Sequence, residues 1–199
     1  MRNNHLFIVL ILFLNLFNSC DNNTVIFNHS ANFEAGDSLD AFNGVVVYYN
    51  QSFSNVSGRN TSDDGYNLGL KYQCVEFVKR YYYEYYHHKM LNSWGYAKDF
   101  FNKSLSDANY NPDRGLVQYK NGGKYKPQIG DLIVFDGHTF NRYGHVAIIS
   151  QVKDDEIEVV QQNCGVNSRA TYDLLSDNGF YTIKGGDVLG WLGMKNIFY

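Results

Sequence analysis

The sequence has few charged residues, few cysteines and no long run of positive charge. Lys, Arg, Asp and Glu make up only 19% of the 199 residues, and the formal net charge is -3. Because a protein that binds nucleic acid needs a basic patch or stripe, we exclude nucleic acid as a partner. The three cysteines lack the paired spacing of a zinc site, and no internal repeat is visible. We therefore expect one monomeric globular domain without a metal or a cofactor.

Apolar and aromatic residues are plentiful instead. Hydrophobic residues make up 44% of the chain, with 17 Tyr and 14 Phe among them. This is enough apolar material for a core, and some of the aromatic rings could also line a groove that stacks on substrate.

The first residues have the pattern of a secretory signal. Met1-Arg2 provides a positive end, and an apolar stretch follows from Leu6 to Phe17. This stretch is shorter than the roughly 20 residues that a membrane-spanning helix needs, but it suits the apolar part of a signal peptide. We therefore predict that residues 1–19 form a signal peptide that is removed.

Cys20 follows directly, in a setting that resembles a bacterial lipobox, although Phe17 stands where Leu is commonest. The resemblance implies acylation of the Cys20 thiol, so we expect an exported, membrane-anchored lipoprotein in the periplasm or at the cell surface. The alternative is an ordinary secreted protein that is cleaved nearby. Residues 20–43 are polar and aperiodic, and we assign them to a tether that precedes a domain over 44–199.

An amphipathic helix is predicted from Cys74 onward. Apolar and aromatic side chains recur at helical spacing on one stripe, which consists of Cys74, Phe77, Val78, Tyr81, Tyr82 and Tyr85. The opposite side carries charges that we interpret as a salt-bridged, solvent-facing surface: Glu76, Lys79, Arg80 and Glu84. Cys74 therefore lies in the first turn of a long helix, with its side chain on the inward stripe.

Strand patterns dominate the chain after this helix. Alternating or β-branched runs predict strands over residues 44–49, 131–135, 145–150, 157–163 and 188–194. Two further segments are assigned as a loop over 50–70 and a second helix around Trp94 to Leu105. One long helix followed by consecutive strands predicts an α+β fold in which the helix packs on an antiparallel sheet.

The position of Cys74 favours a nucleophile. Unpaired N–H groups at a helix start lower the pKa of a thiol, and this raises its reactivity. Such a thiol needs a base that accepts its proton and later protonates the leaving amine, and histidine suits this task near neutral pH. His145, which opens a predicted strand, is the candidate.

The predicted hairpin offers His145 an orienting partner. If residues 153–155 form a three-residue loop, Ile149 faces Val159 and His145 faces Asn163. Asn163 can then hold the imidazole ring by a hydrogen bond. With a two-residue loop Asn163 would turn away, so the triad hypothesis predicts an odd-numbered loop.

Four short motifs occur in order along the chain: Tyr72-Gln73-Cys74-Val75-Glu76-Phe77, Gly144-His145-Val146-Ala147-Ile148-Ile149, Val159-Val160-Gln161-Gln162-Asn163 and Leu189-Gly190-Trp191. Together they resemble the CHAP amidohydrolase/peptidase family, within the papain-like cysteine hydrolases. The likeness is greatest to the branch that contains the amidase half of glutathionylspermidine synthetase/amidase. It implies a papain-like fold whose long N-terminal helix carries the nucleophile.

The resemblance also implies roles for individual residues. Cys74 would be the nucleophile, His145 the general base and then acid, and Asn163 the group that orients the histidine. Gln73 would stabilise the oxyanion together with the Cys74 backbone N–H. Gln161 stands where this branch usually has Glu, so it would orient without charge and stabilise the imidazolium less.

Each assignment has an alternative. Cys74 could be a small buried hydrophobic residue, and Asn163 and Gln161 could be polar strand ends. His138 is a substitute base, whereas His87-His88 reads as a solvated helix end because adjacent residues do not share a helical face. Cys164 is expected to be a packed thiol, although a bridge to Cys74 would silence the enzyme.

We therefore predict a cysteine amidase or peptidase that acts through an acyl-thioester. Export favours a peptidoglycan peptide as the substrate, whereas the branch resemblance favours a glutathionylspermidine-type amide. Two other hypotheses stay open: a catalytically weakened module that binds cell-wall peptides, and an exported toxin that uses the same chemistry.

Overall fold

The computed structural model describes residues 32–92 and 94–194. The predicted signal peptide, the predicted lipid attachment at Cys20 and residues 20–31 of the predicted tether lie outside the described residues. Within the described ranges, no helix has the length and apolar character needed to cross a bilayer.

The chain forms one α-helix, one short 3-10 helix and twelve strands in the described ranges. The α-helix α1 is Cys74–Tyr86, and the 3-10 helix is Ala97–Phe100. The strands in chain order are β1 (Ser38–Phe42), β2 (Val45–Tyr48), β3 (Arg59–Thr61), β4 (Asn67–Leu70), β5 (Asn109–Asn111), β6 (Leu116–Lys120), β7 (Leu132–Phe135), β8 (His145–Val152), β9 (Glu156–Val160), β10 (Arg169–Asp177), β11 (Phe180–Ile183) and β12 (Val188–Gly193).

Eight strands form the main sheet, in the order β11-β10-β9-β8-β7-β12-β6-β5. Every neighbouring pair in it is antiparallel. Two small hairpins, β1-β2 and β3-β4, lie outside this sheet. The prediction of one helix packed on a mainly antiparallel sheet is confirmed at this level.

The two faces of the sheet bury different clusters of side chains. Along β8, Val146 and Ile148 belong to the cluster that contains the α1 residues Phe77 and Val78. The alternate residues Ala147 and Ile149 belong to a second cluster, whose buried members all come from strands. This is the period-two alternation of a strand buried on both faces.

The sheet curves around the second cluster. The segment that continues from β6 meets the edge strand β11, since Gly122 N donates to Tyr181 O at 2.8 Å and Tyr181 N donates to Gly123 O at 2.8 Å. One edge of the sheet therefore contacts the continuation of β6 near the other edge, and the strand-only cluster lies inside the curve while α1 packs outside it.

Several predicted elements differ from the observed ones. The second helix expected around Trp94 to Leu105 is wrong, because only Ala97–Phe100 is helical, as a 3-10 turn. Gly95 precedes it with φ +113° and Phe101 follows it in extended conformation, so the chain cannot continue as a helix in either direction. The predicted loop over 50–70 contains the hairpin β3-β4.

Part of the stretch assigned to the tether forms structure. Ser38–Phe42 is strand β1, which pairs with β2. Asp40 in this strand accepts a hydrogen bond from Arg169 Nε at 2.6 Å, and Ser168 Oγ donates to the same carboxylate at 3.0 Å. The β1-β2 hairpin is therefore attached to the start of β10.

Candidate active site

Cys74 is the first residue of α1 and a free thiol with 8% of its surface exposed. The preceding residue, Gln73, is the helix cap in extended conformation, and its N–H donates to Leu70 O at 2.9 Å. Strand β4 approaches the helix closely at Gly69, where a Cβ would meet the backbone of Glu76 at 3.1 Å. The start of α1 is thus tightly positioned, and the bridge to Cys164 that would silence Cys74 is not formed.

The thiol lies against the backbone of the strand that begins with His145. Its sulfur interacts with the backbone N–H groups of Val146, Val75 and Cys74 itself. Burial nevertheless raises the pKa of Cys74 to about 11, and the three N–H groups only partly offset this effect. The lowered pKa expected from the helix start is therefore wrong for the resting protein, because desolvation outweighs the helix-terminus contribution.

The main sheet opens where the sulfur lies. Strand β8 begins at His145, but its neighbour β9 ends at Val160, and Gln161 N donates to Ser168 O at 2.9 Å. The segment after β9 therefore no longer pairs with β8, and Val146 has no strand partner on this side among the described residues. The Val146 N–H interacts with the Cys74 sulfur instead, so the sulfur lies beside the residue that follows His145 in β8.

His145 is a buried residue with 8% exposure, and its ring packs on Phe135 with centroids 5.9 Å apart. The residue before it must be glycine, because Gly144 has φ +73° and a Cβ there would meet Phe135 O at 2.5 Å. Burial lowers the pKa of His145 to about 4, while the hydrogen bond with Gln161 acts in the opposite direction. The ring is therefore neutral near pH 7.

Gln161 determines which ring nitrogen carries the proton. Gln161 Nε2 donates to Asn167 O at 3.2 Å, so Oε1 is the atom that faces the histidine. This oxygen lies 3.1 Å from His145 Nε2. Because an amide oxygen only accepts, Nε2 of the neutral ring carries the hydrogen and Nδ1 keeps its lone pair. The basic nitrogen of the imidazole is therefore Nδ1, on the other edge of the ring.

Asn163 does not take the orienting position expected of it. Its Nδ2 donates to Gln73 Oε1 at 2.7 Å and to Phe53 O at 3.1 Å, and its Oδ1 accepts from Asn50 Nδ2 at 2.8 Å. The reason is local, since Asn163 has φ +68° and the chain turns after β9 has ended. The hydrogen bond expected between Asn163 and His145 is therefore replaced by the one from Gln161.

The hairpin register explains this exchange. The pair nearest the turn is Val152 and Ile157, and the residues between them, 153–156, are even in number. The predicted odd-numbered loop is therefore wrong. A register shift between Ile149 and Gln151 then restores the predicted pairing of Ile149 with Val159. The register near the site is thus the expected one, but β9 ends before it reaches Asn163.

Gln73 is held by the same residues. Its Nε2 donates to Asn55 O at 2.7 Å and to Phe53 O at 3.3 Å, while its Oε1 accepts from Asn163. Both amide hydrogens are therefore engaged in the resting structure. A role for Gln73 in binding an oxyanion stays a prediction, and it requires one of these two bonds to be exchanged for the substrate oxygen.

The sequence did not indicate a role for Gln162, which is 1% exposed and lies between Gln161 and Asn163. Its Nε2 donates to Glu76 Oε2 at 2.8 Å and to Gln73 O at 3.1 Å, and its Oε1 accepts from Tyr48 N at 2.8 Å. Gln162 thus ties the start of α1 to the segment that carries Gln161. A pattern of three consecutive polar residues after a buried strand is its only signal in the sequence.

The predicted solvent-facing side of α1 is also corrected. Glu76 and Lys79 are 0% exposed and Arg80 is 5% exposed. Glu76 Oε1 accepts from Arg80 Nε at 2.6 Å and from Asn60 Nδ2 at 2.7 Å. These charged side chains are buried because β4 and the segment after β9 cover this side of the helix. Each side chain has polar hydrogen-bond partners there.

The other histidines and the remaining cysteine have separate environments. His88 Nε2 is 2.8 Å from Arg114 O, so this ring is part of the packing after α1 rather than a solvated end. His138 Nδ1 accepts from Phe140 N at 3.3 Å in the loop before His145. The packed thiol expected at Cys164 is wrong, because this cysteine is disulfide-bonded. Its Sγ lies 3.5 Å from His145 Nε2, on the same side of the ring as Gln161. Among the described residues, no group of three His, Cys, Asp or Glu side chains could hold a metal ion.

Comparison with known proteins agrees with this geometry. The family model described as "CHAP domain" matches residues 63–163, just over half of the 199 residues. The matched range contains the start of α1, the strand of His145 and the Gln161–Asn163 segment. The chain belongs to the CHAP domain family, which confirms the resemblance seen in the motifs. Its class is that of the cysteine amidohydrolases.

Three relatives illustrate the range of the family. The chain is 32% identical to trypanothione synthetase of Crithidia fasciculata over 122 residues, which cover 60% of this chain and 18% of that one. It is 27% identical to the bifunctional glutathionylspermidine synthetase/amidase of Escherichia coli over 173 residues, with coverages of 75% and 27%. It is 33% identical to endolysin PlyTW of Staphylococcus phage Twort over 79 residues, with coverages of 40% and 15%. The chain thus spans less than a third of the length of each.

Proposed function

We propose that this protein hydrolyses an amide bond in peptidoglycan peptides, as an amidase or endopeptidase, through an acyl-thioester on Cys74. The observation that carries the proposal is the opening between β8 and β9. There the Cys74 sulfur meets the N–H of Val146, next to a histidine whose Nε2 is occupied by Gln161. A papain-like arrangement, with a helix-borne thiol beside a strand-borne imidazole, is part of the proposal.

The chemistry follows from the two resting protonation states. With a thiol pKa of about 11 and an imidazole pKa of about 4, both groups are neutral near pH 7. His145 Nδ1 therefore takes the thiol proton as the sulfur attacks the carbonyl carbon, and no thiolate is stored beforehand. The imidazolium then protonates the leaving amine, which departs as the thioester forms. Water, deprotonated by the same nitrogen, hydrolyses the thioester and releases the acid.

The substrate class is the finer part of the proposal. Its support is the endolysin relative, together with the export signal predicted over residues 1–19. A glutathionylspermidine-type amide is the second candidate, and the match to the bifunctional synthetase/amidase over 75% of this chain favours it. A weakened binding module is a third candidate, which the neutral Gln161 favours because it stabilises an imidazolium less than a carboxylate does.

We also propose the setting of this reaction. Acylation of Cys20 would anchor an exported, monomeric protein to a membrane, within reach of the cell wall. The support is the sequence around Cys20 alone. Mass spectrometry of the membrane fraction tests it: a diacylglyceryl thioether on Cys20 is expected, and a Cys20→Ala variant should leave the membrane fraction.

Digestion of purified peptidoglycan tests the activity. The full chain in detergent should release new amine and carboxyl ends that mass spectrometry identifies, and Cys74→Ala or His145→Ala should lower the rate by at least about 10³-fold. His138→Ala serves as the control for the substitute base and should lower it by less than about tenfold. Cleavage of glutathionylspermidine without cleavage of peptidoglycan would reject the substrate, and tight peptide binding without turnover would favour the binding module.

A further inference from the structure

A groove of about 740 Å³ opens beside His145, at the end of the curved sheet. Its base is aromatic, because the rings of Phe135 and Tyr172 lie side by side with centroids 5.3 Å apart and are 5% and 8% exposed. One wall is the loop over 136–141, and the other is the turn Lys184-Gly185-Gly186-Asp187 between β11 and β12. His145 itself lines this groove, so a ligand in it lies next to the proposed base.

The turn at Lys184–Asp187 is held rigidly in place. Asn121 clamps both of its ends: its Oδ1 accepts from Ile183 N at 2.8 Å, and its Nδ2 donates to Ile183 O at 3.0 Å and Val188 O at 3.2 Å. Lys184 N also donates to Asp173 O at 2.9 Å. The backbone of the turn is therefore fixed before any ligand arrives.

The shape of this turn depends on residues that tolerate left-handed backbone. Gly185, Gly186 and Asp187 have φ of +87°, +65° and +52° in succession. A Cβ on Gly186 would meet the Phe135 ring at 3.0 Å, so the turn lies directly on the aromatic base of the groove. The two glycines adopt this conformation without steric cost, whereas Asp187 is a non-glycine residue in a sparsely populated region that the surrounding structure must determine.

The two ends of the turn present opposite charges that have no partner among the described residues. Lys184 and Asp187 are both exposed and make no ion pair, whereas Asp136 on the facing wall is paired with Lys103 at 2.6 Å. The groove therefore offers one unpaired cation and one unpaired anion, separated by two glycines and placed above aromatic rings. A ligand that carries both an ammonium and a carboxylate group on one carbon complements this arrangement.

We propose that this groove binds a zwitterionic α-amino acid end of the substrate, with its carboxylate at Lys184 and its ammonium group at Asp187. This inference rests on the proposed function and specifies the substrate within it. The apolar part of the amino acid lies on Phe135 and Tyr172, and the chain leads from there toward His145. A peptide whose end is capped on either group loses one of the two ionic contacts.

Binding to the full chain with the Cys74→Ala substitution tests the proposal apart from turnover. The probe is the tripeptide L-alanyl-γ-D-glutamyl-meso-diaminopimelic acid, whose free diamino acid centre is a zwitterion. The two matched probes are the same peptide acetylated on that amine and the same peptide amidated on that carboxylate. Isothermal titration should give a Kd about fivefold lower for the free peptide than for either capped form, as expected of one partly exposed ionic contact.

Substitutions in the turn should separate the two contacts. Lys184→Gln is expected to raise the Kd of the free and acetylated peptides about fivefold but to leave that of the amidated peptide within about twofold. Asp187→Asn should do the reverse, and affect the free and amidated peptides only. Lys124→Gln and Asp63→Asn, which remove exposed charges outside the groove, are the controls and should change none of the three.

Each outcome decides one of the two proposals. Equal Kd values for the three peptides, or a Lys184→Gln effect that is the same on all three, would overturn the zwitterion site even if the wild-type protein cleaves peptidoglycan. A wild-type protein that releases nothing from peptidoglycan or glutathionylspermidine, while its Cys74→Ala form discriminates among the peptides as described, would reject the proposed function and keep the site.

Discussion

The two halves of the candidate site are held in very different ways. The nucleophile half, at the start of α1, has one buried ion pair, Glu76–Arg80, and two buried amides, Gln162 and Asn163, that both donate to Gln73. Gln162 also donates to Glu76. The base half has a histidine that packs on an aromatic ring and is oriented by the neutral amide of Gln161. Under the proposed function, we expect the network around Gln73 to contribute mainly to stability and the Gln161 contact to contribute mainly to proton transfer.

The largest expected effect comes from the nucleophile half. Glu76→Ala leaves the Arg80 guanidinium buried without its carboxylate, so the free energy of unfolding should fall by about 3–5 kcal/mol. Urea denaturation followed by circular dichroism measures it. Asp64→Ala is the matched control, because it breaks the exposed pair with Lys89, which solvent screens, and it should change the free energy of unfolding far less. Similar losses in the two variants would show that the buried network contributes nothing special.

Substitutions in the base half should lower the reaction rate more than the free energy of unfolding. Gln161→Leu removes the oxygen that fixes the ring tautomer of His145, so kcat should fall about a hundredfold while KM changes little. Gln162→Leu is the adjacent control of the same type, and it should instead lower the free energy of unfolding by about 1–3 kcal/mol. Steady-state kinetics and urea denaturation on both variants give the comparison. If the two variants lose rate and stability in the same proportion, the two halves are not functionally distinct.

The smallest expected effect is a shift in pH dependence. Only the neutral imidazole accepts the thiol proton, so wild-type activity should rise with pH through the His145 pKa of about 4. Gln161→Glu places a carboxylate beside the ring, which raises that pKa by about 1–3 units and moves the acid limb to higher pH by the same amount. Profiles of kcat/KM against pH measure the shift. An acid limb that stays in place would mean that Gln161 does not orient the reacting histidine.

Local sequence patterns predicted much of this fold. The strand of His145, the strand that begins near Asp131 and the helix that begins at Cys74 follow from periodicity and glycine placement, because their buried faces need a fixed spacing of apolar side chains. The edge strands were not predictable in the same way. β10 and β11 carry polar residues on their exposed faces, and β1 lies in an Asn- and Asp-rich stretch that is held by a distant arginine.

The register of one hairpin illustrates the limit. Charged residues at 153–156 predict a turn, but they do not distinguish three loop residues from four, and they do not indicate the shift between Ile149 and Gln151 that compensates for the even number. Asn163 and Gln161 lie on the same face of an ideal strand. Which of them meets His145 depends on where β9 stops, and Asn163 lies past that point in a turn, with φ +68°.

The sequence by itself determined the class of chemistry: a cysteine at a helix start, a histidine after glycine at a strand start, and a polar segment after a second strand. It determined this because those positions follow from short-range spacing and from motifs. The tertiary structure alone decided that Gln161 orients the ring, that the helix charges are buried, and that the resting thiol and imidazole are neutral. These depend on desolvation and on partners distant in the chain, and no local pattern encodes either of them.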